Sequence, residues 1–125
     1  MNTILLVDDQ PALLSINSDY LRRHGYRVLT AIDGDHAVAA ARSQLPDVIF
    51  LDHSMPHRSG VDVALELKSD AATSAIPIIM MTALPYGAVG KRARAAGCAG
   101  FLSKPCGPRR VLQEVERCLG ARRSA

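Results

Sequence analysis

Short, mostly apolar runs recur along the 125-residue chain and alternate with longer segments in which apolar residues have helical spacing. The runs lie at residues 4–7, 26–30, 48–51, 78–81 and 101–103. Such alternation is typical of strand–helix–strand units, whose right-handed crossovers build a parallel sheet with helices on both faces. We therefore predict a doubly wound α/β fold of five strands and five helices.

Residues that start or stop helices predict the boundaries. They indicate a first helix ended by Gly25, a second from Asp33-Gly34 through Arg42, a third from Gly60, a fourth at about 86–96 and a fifth from Pro108. The apolar stripes expected to face the sheet are Leu13, Leu14, Ile16, Tyr20 and Leu21, then Val61, Ala64, Leu65 and Lys68, then Val111, Leu112, Val115, Cys118 and Leu119. Pro77 is placed early in the fourth strand, where a missing N–H donor is tolerable.

The length and the mass of 13.4 kDa correspond to one domain with one core. We predict this domain at 1–121 and a flexible tail at 122–125. No apolar stretch is long enough to cross a bilayer and no leader is evident, so a cytoplasmic protein is expected. Cys98, Cys106 and Cys118 lack the spacing of zinc ligands and are expected to be small buried hydrophobic residues.

Polar residues stand where four of the apolar runs stop. They are Asp8, Asp9, Asp52, Thr82 and Lys104. In an open parallel sheet, ligands bind outside the carboxyl ends of the strands, where the strand order reverses. If the order is 2-1-3-4-5, the first and third strands are neighbours at that reversal, and the three carboxylates converge there.

Three carboxylates in one cleft repel one another unless a cation is present. Hard oxygen ligands with room for water favour Mg²⁺, which proteins typically hold through one or two carboxylates and phosphate oxygens. No Cys or His stands among these residues, which argues against Zn²⁺. The sequence therefore predicts an acidic site that binds Mg²⁺ and handles phosphate.

Ordered motifs spread over the chain carry a resemblance to a known family. They are Asp8-Asp9, Gly25-Tyr26, Asp52-His53-Ser54-Met55-Pro56 with Gly60, Thr82-Ala83, Ala96-Gly97 and Phe101-Leu102-Ser103-Lys104-Pro105. In this order and spacing the chain resembles the receiver domain of two-component response regulators, and in particular the single-domain, chemotaxis-type (CheY-like) receivers. The resemblance extends from Ile4 to about Leu119 and implies a flavodoxin-like (βα)5 fold.

The resemblance also implies a chemistry for the strand-end residues. Asp52 would accept a phosphoryl group from a histidine kinase or a phosphotransfer protein, and the chain would be a phosphoacceptor rather than an enzyme. Asp8, Asp9, Asp52 and the backbone carbonyl of Ser54 would hold Mg²⁺. Thr82 and Lys104 would bind phosphoryl oxygens, and a cis Lys104–Pro105 peptide bond is expected.

A switch is implied by the same resemblance. Thr82 would move toward the phosphoryl group, Ala83 would leave space, and the Phe101 ring would follow, which changes the face formed by the fourth and fifth helices. That face would bind a downstream protein or a second copy of the chain. Ser54 and Leu84 occupy the positions that tune the lifetime of the phosphorylated state.

The net charge of +3 and the pI near 9.0 contrast with the acidic site. The cations concentrate on the fourth and fifth helices and the tail: Lys91, Arg92, Arg94, Arg109, Arg110, Arg117, Arg122 and Arg123. This pattern is compatible with a docking surface for an acidic partner and equally with an ordinary solvated face. DNA binding is not expected, because nothing resembles a helix-turn-helix.

Other interpretations remain open from the sequence. The chain could be a pseudo-receiver that binds partners without phosphorylation, although the complete set of site residues argues against this. It could be a Mg²⁺-dependent phosphohydrolase, although such enzymes commonly carry an acid where Ser54 stands. Individually, Asp9 could cap the first helix and Asp52 could cap a turn through its side chain.

Overall fold

The computed structural model describes the backbone at residues 2–83 and 86–124. Over these residues, five strands alternate with five helices, as the apolar runs predict. The strands are β1 (Thr3–Val7), β2 (Arg27–Ala31), β3 (Val48–Asp52), β4 (Ile78–Thr82) and β5 (Gly100–Ser103). The helices are α1 (Pro11–Arg23), α2 (Gly34–Gln44), α3 (Gly60–Lys68), α4 (Tyr86–Ala95) and α5 (Pro108–Ser124).

The strands form one parallel sheet in the order β2-β1-β3-β4-β5, which confirms the predicted topology. The register sets Val7 beside Leu51 and Leu51 beside Met80. The carboxyl ends of the three central strands therefore lie along one edge of the sheet. The strand order reverses between β1 and β3, and this is where a ligand site is expected.

Side chains from the strands alternate between two cores, one on each face of the sheet. Leu5, Ile49 and Met80 pack with residues of α2, α3 and α4. Ile4 and Phe50 pack with residues of α1 and α5. Because both faces are covered, β1, β3 and β4 are buried along their whole length, which explains why they appear as continuous apolar runs.

Local sequence signals start three of the helices. Pro11 occupies the first turn of α1, where its missing N–H has no helical partner to lose. The carboxylate of Asp33 caps α2 by accepting a hydrogen bond of 2.8 Å from the His36 N–H. The hydroxyl of Ser59 caps α3 by accepting one of 3.2 Å from the Asp62 N–H. These caps satisfy N–H groups that a helix start leaves without partners.

The buried face of α1 differs from the predicted stripe. Its buried residues are Leu14, Asn17, Ser18 and Leu21, whereas Leu13 and Tyr20 are half-buried and Ile16 is 54% exposed. Leu14 and Leu21 are the correct part of the prediction. The helix packs against α5 as well as the sheet, and this rotates the apolar residues Leu13 and Ile16 toward solvent and two polar residues inward.

The buried face of α3 was also placed imperfectly. Val61 and Ala64 are buried as predicted, but Leu65 is 48% exposed and Leu67 takes the buried position. Lys68 is half-buried, and its ammonium donates to the carbonyls of Ser74 at 3.0 Å and Ile76 at 2.6 Å. The helix packs against α2 and α4 as well as the sheet. Its buried face therefore includes residues that point toward these helices and not only those that point toward the sheet.

Smaller differences concern element ends and cysteines. β2 starts at Arg27 rather than at residue 26, and Pro77 precedes β4 instead of lying within it. The proline carbonyl accepts a hydrogen bond of 3.0 Å from the Ile49 N–H, so it still continues the β3–β4 pairing. Cys118 is buried, whereas Cys98 and Cys106 are only partly buried.

In α5, the predicted face is buried at Val111, Val115 and Leu119, while Leu112 is half-buried. The helix is assigned through Ser124; the flexible tail at 122–125 stays a prediction. Over the described ranges, none of the helices combines the length and apolar character that crossing a bilayer requires.

Candidate functional site

The predicted site residues of β1 and β3 meet at the edge where the strand order reverses. Asp8 directly follows β1 and Asp52 is the last residue of β3, and both are almost fully buried, with 3% and 2% of their surface exposed. Asp9 is exposed. One carboxylate oxygen from each of the three residues lies within 4.8 Å of the other two. The three carboxylates therefore converge as the topology predicts.

Lys104 brings a positive charge into this group. Its ammonium lies 2.8 Å from Oδ2 of Asp8 and 3.3 Å from Oδ2 of Asp52. Its backbone N–H donates to the Thr82 carbonyl at 2.8 Å, and the Lys104–Pro105 peptide bond is cis, as expected. The lysine follows β5, so four strands contribute to the site.

Backbone N–H groups hold the two buried carboxylates in place. The Gln10 N–H donates to Oδ1 of Asp8 at 2.9 Å, and the Ser54 N–H donates to Oδ1 of Asp52 at 3.3 Å. The turn-capping alternative for Asp52 is thus also present, and it orients the carboxylate without removing it from the site. Asp9 does not cap α1: the residue before that helix is Gln10, which makes no side-chain capping bond.

Burial controls the protonation of the site. It raises the pKa of Asp52 to about 6, and the charge of Asp8 adds to the rise, while the charge of Lys104 and the Ser54 N–H oppose it. For Lys104, burial alone would lower the pKa, but the hydrogen bond from its ammonium to Asp8 and the charge of Asp52 outweigh it, so the pKa is raised. The lysine therefore stays charged between the Asp8 and Asp52 carboxyl groups.

The donor chemistry fits a hard divalent cation. Asp8, Asp9 and Asp52 offer oxygen atoms close enough to share one ion, and one ammonium cannot balance three carboxylates. In the part of the chain that the structure describes, no other group of three His, Cys, Asp or Glu side chains has this spacing. Ser54 is exposed and directly follows His53 in the loop after Asp52.

The predicted switch residues occupy the end of the neighbouring strand pair. Thr82 ends β4 and is fully buried, and it lies beside Ser103 of β5. Ala83 is exposed. Phe101 is half-buried and packs against the core between the sheet and helices α2, α3 and α4. Leu84, the predicted lifetime residue, lies outside the described residues.

Comparison with known proteins gives a family. Residues 4–116 match the response regulator receiver domain, which covers most of the chain. The chain belongs to the response regulator receiver family. Its fold is the CheY-like, flavodoxin-like fold: the chemotaxis protein CheY4 of Vibrio cholerae superposes with a TM-score of 0.89 at 31% identity, over 94% of this chain and 98% of that one.

Relatives of known name are similar over nearly their whole length. The receiver domain is 34% identical to the protein PilH of Pseudomonas aeruginosa over 95% of this chain and 98% of PilH. It is 30% identical to the polar-differentiation response regulator DivK of Brucella anthropi, over 94% and 96% of the two chains. The receiver domain of the sensor histidine kinase PA1611 of P. aeruginosa, with a magnesium ion coordinated in its active-site cleft, superposes with a TM-score of 0.86 at 30% identity, over 95% and 98%.

A groove of about 250 Å³ opens beside the acidic site of the receiver domain. It runs between α1 and the loop that follows β5, and its lining residues include Asp8, Leu13, Asn17, Lys104 and Cys106. Asn17 is 9% exposed and lies on the wall of this groove with Leu13.

One histidine near the site differs from its interpretation in the sequence. His53, interpreted as a loop residue, is buried, and its Nδ1 atom has no hydrogen-bond partner among the described residues. Burial lowers its pKa, and the charge of Arg92 adds to the effect. Strand alternation could have placed it, because residues 49, 51 and 53 point to the same face. His57 is the exposed loop residue that was expected, with a φ of 70°.

Proposed function

We propose that this receiver domain is a phosphorylation-dependent switch in which Asp52 accepts a phosphoryl group from the phosphohistidine of a histidine kinase or phosphotransfer protein. One observation carries the proposal: a buried carboxylate with a raised pKa lies among two further carboxylates and 3.3 Å from an ammonium group. Buried carboxylates that repel one another destabilise the folded state, so such a group is typical of a functional site, and here it suits a site that handles charged phosphate.

The transfer joins Asp52 to the phosphoryl group in one displacement. A carboxylate oxygen of Asp52 forms a bond to phosphorus, the phosphorus–nitrogen bond breaks, and the imidazole leaves with the electron pair. Because phosphoryl transfer passes through a loose transition state, charge and position count for more than the strength of the nucleophile. Lys104 would stabilise the phosphoryl oxygens, and so would the hydroxyl of Thr82 after it moves inward.

Asp8, Asp9, Asp52 and the Ser54 carbonyl would hold Mg²⁺. When bound, the ion neutralises charge on the transferred oxygens and on the carboxylates. The two buried carboxylates are already oriented by the Gln10 and Ser54 N–H groups, so little rearrangement of Asp8 and Asp52 is required.

The acyl phosphate on Asp52 would be lost by attack of water on phosphorus, with return of the carboxylate. The domain thus assists both its own modification and its reversal, without turning over a separate substrate. Ser54, which is exposed, would tune that loss, and Leu84 is expected to do the same. A Ser at this position supplies no general acid, which disfavours the phosphohydrolase alternative.

Phosphorylation would be transmitted through Thr82, Ala83 and Phe101. The phosphoryl oxygens attract the Thr82 hydroxyl, the exposed Ala83 leaves room, and the half-buried Phe101 ring moves with the strand ends. Phosphorylation can shift the equilibrium between the inactive and active conformations only by the difference in its interaction free energy with the two conformations. The readout is the face of α4, β5 and α5, which would bind a downstream protein or a second copy of the domain.

Charge supports an acidic partner for that face. Residues 86–125 contain nine Lys and Arg against two Glu, whereas residues 1–85 contain six against ten Asp and Glu. Lys91, Arg92 and Arg109 are exposed on α4 and α5. Complementary charge would speed association with an acidic protein surface. Reversal of Lys91 and Arg92 to Glu should therefore slow binding of each downstream partner, and unchanged rates would reject this docking surface.

The groove beside the site supports docking of the phosphodonor. A donor helix laid against α1 would cover Leu13 and Asn17 on the groove wall, while its phosphohistidine reaches Asp52. Neither a nucleic acid nor a membrane is part of the proposed function, and the cytoplasm is the expected location because the donors and targets of such switches act there.

Intact-mass spectrometry tests the proposal. The protein is incubated with acetyl phosphate with and without Mg²⁺, and the Asp52→Asn variant is the control. One added phosphoryl group that requires both Mg²⁺ and Asp52 supports the switch. No modification, under conditions that modify another receiver domain, would favour the pseudo-receiver.

A further inference from the structure

Arg58, in the loop of residues 53–59 between β3 and α3, joins that loop to both neighbouring helices. Its Nη1 atom lies 3.1 Å from Oδ1 of Asp35 in α2, and its Nη2 atom pairs with Oε1 of Glu66 in α3. The side chain is 26% exposed, so its charge is better shielded from water than that of most surface arginines. Over the described residues, no other side chain of this loop forms an ion pair.

The loop backbone needs such support. His57 has a φ of 70°, in the left-handed region that residues other than glycine seldom adopt. The Arg58 N–H donates across it to the Pro56 carbonyl at 2.8 Å, and the Gly60 N–H donates to the His53 carbonyl at 2.9 Å. An unfavourable backbone conformation persists only when its surroundings hold it. The anchored side chain directly after His57 is in a position to do so.

Packing fixes the same side chain along its length. A Cβ atom at Gly34 would lie 3.3 Å from Cβ and 3.4 Å from Cδ of Arg58. The aliphatic stem of the arginine therefore lies against the start of α2, while its guanidinium reaches Asp35 and Glu66. The stem and the charge together tie the loop to α2 and α3.

We propose that Arg58 is a positioning residue for the acidic site, and that it fixes the loop so that the Ser54 carbonyl is presented to Mg²⁺ beside Asp52. The inference rests on the proposed function, because the part of Ser54 in metal binding is itself proposed. Groups that orient the ligands of a metal control its affinity even though they do not touch it.

Calorimetric titration with MgCl₂ tests this role. Removal of a group that orients a metal ligand typically weakens binding by about 10–100-fold, and Arg58 acts one step further away, so we expect Arg58→Gln to raise the Mg²⁺ dissociation constant about three- to tenfold. Arg42→Gln is the matched control, because Arg42 also pairs with Glu66 but lies in α2; its dissociation constant should stay within about twofold of the wild type. Arg58→Lys keeps one point charge and should recover part of the affinity.

The outcomes separate positioning from general stability. Phosphorylation by acetyl phosphate at saturating Mg²⁺ should proceed at the wild-type rate in Arg58→Gln, with only the Mg²⁺ requirement increased. An unchanged dissociation constant, or an equal increase in Arg42→Gln, would overturn the inference. If Arg58→Gln does not fold, Arg58→Lys carries the same comparison. Wild-type protein that binds Mg²⁺ but is not phosphorylated on Asp52 would instead refute the proposed function and leave the affinity comparison intact.

Discussion

Two groups of ion pairs in the receiver domain have similar distances and different surroundings. Lys104 lies 2.8 Å and 3.3 Å from Asp8 and Asp52, whose side chains are 5% and 3% exposed. Arg42 lies 2.9 Å from Asp70 and 3.3 Å from Glu66, and its own side chain is 49% exposed. Distance alone therefore does not tell the site from the surface.

Burial makes the difference. Water and salt screen the ion pairs of Arg42, so forming or breaking them changes the free energy of unfolding little. The carboxylates beside Lys104 are desolvated, so each depends on its partners and the pKa of Asp52 rises to about 6. The first group helps to join α2 to α3, whereas the second concentrates negative charge that a bound cation can neutralise.

The largest effect is expected from Lys104→Met. It leaves two buried carboxylates without their ammonium partner, which typically costs about 3–5 kcal/mol in the free energy of unfolding. Chemical denaturation at pH 7 in EDTA measures this loss. A loss below about 1 kcal/mol would mean that the carboxylates are solvated and that the burial argument is wrong.

Addition of Mg²⁺ should have the next largest effect. Binding to the folded state alone stabilises the wild type by about 2.7 kcal/mol at one hundred times the dissociation constant. The ion should raise the melting temperature of the wild type and have a smaller effect on Asp9→Asn, which removes one ligand. Equal shifts in the two proteins would show that the ion binds elsewhere.

Asp52→Asn should stabilise the domain at neutral pH. A folded-state pKa raised to about 6 means that ionisation of Asp52 removes stability as the pH rises from about 4 to about 6, by an amount on the order of 1–3 kcal/mol. In the absence of Mg²⁺, Asp52→Asn should therefore have a larger free energy of unfolding than the wild type at pH 7, and the two proteins should be equally stable at pH 3.5. Unfolding experiments at the two pH values measure this difference in stability, and a gain that does not change with pH would contradict the assignment.

The smallest effect is expected from Arg42→Gln, on the exposed side of the comparison. Loss of its two surface pairs should reduce the free energy of unfolding by less than about 1 kcal/mol. The difference from the wild type should largely disappear in 1 M NaCl, where the Debye length is about 3 Å. A larger loss that resists salt would place Arg42 among the buried pairs and remove the contrast.

The sequence predicts the sheet, and it also predicts that the side chains at the strand ends meet, because both depend on where the strands end. Asp8, Asp52 and Lys104 each stop an apolar run, and parallel strands bring such ends to one edge. Helix faces were less predictable. Ile16 and Leu65 fit an apolar stripe but face solvent, because α1 also packs on α5 and α3 lies between α2 and α4.

The contacts between loops and helices could not be predicted from the residues next to them in the sequence. Arg58 appears in the sequence as one more surface cation, and its partners Asp35 and Glu66 are 23 and 8 residues away along the chain, in different helices. Asn17 and Ser18 are buried although they are polar. A pattern of apolar residues cannot place such side chains, because their positions depend on neighbours that only the folded chain brings together.

The protonation of Asp52 is the most direct test of the concentrated negative charge. Carboxyl ¹³C NMR of the wild type, with Asp52→Asn to assign the resonance, gives its pKa with and without Mg²⁺. The account predicts a midpoint near 6 without the ion and a clear decrease when the ion is added. A midpoint near 4 that does not respond to Mg²⁺ would mean that Asp52 is an ordinary surface carboxylate, and would contradict the proposed site.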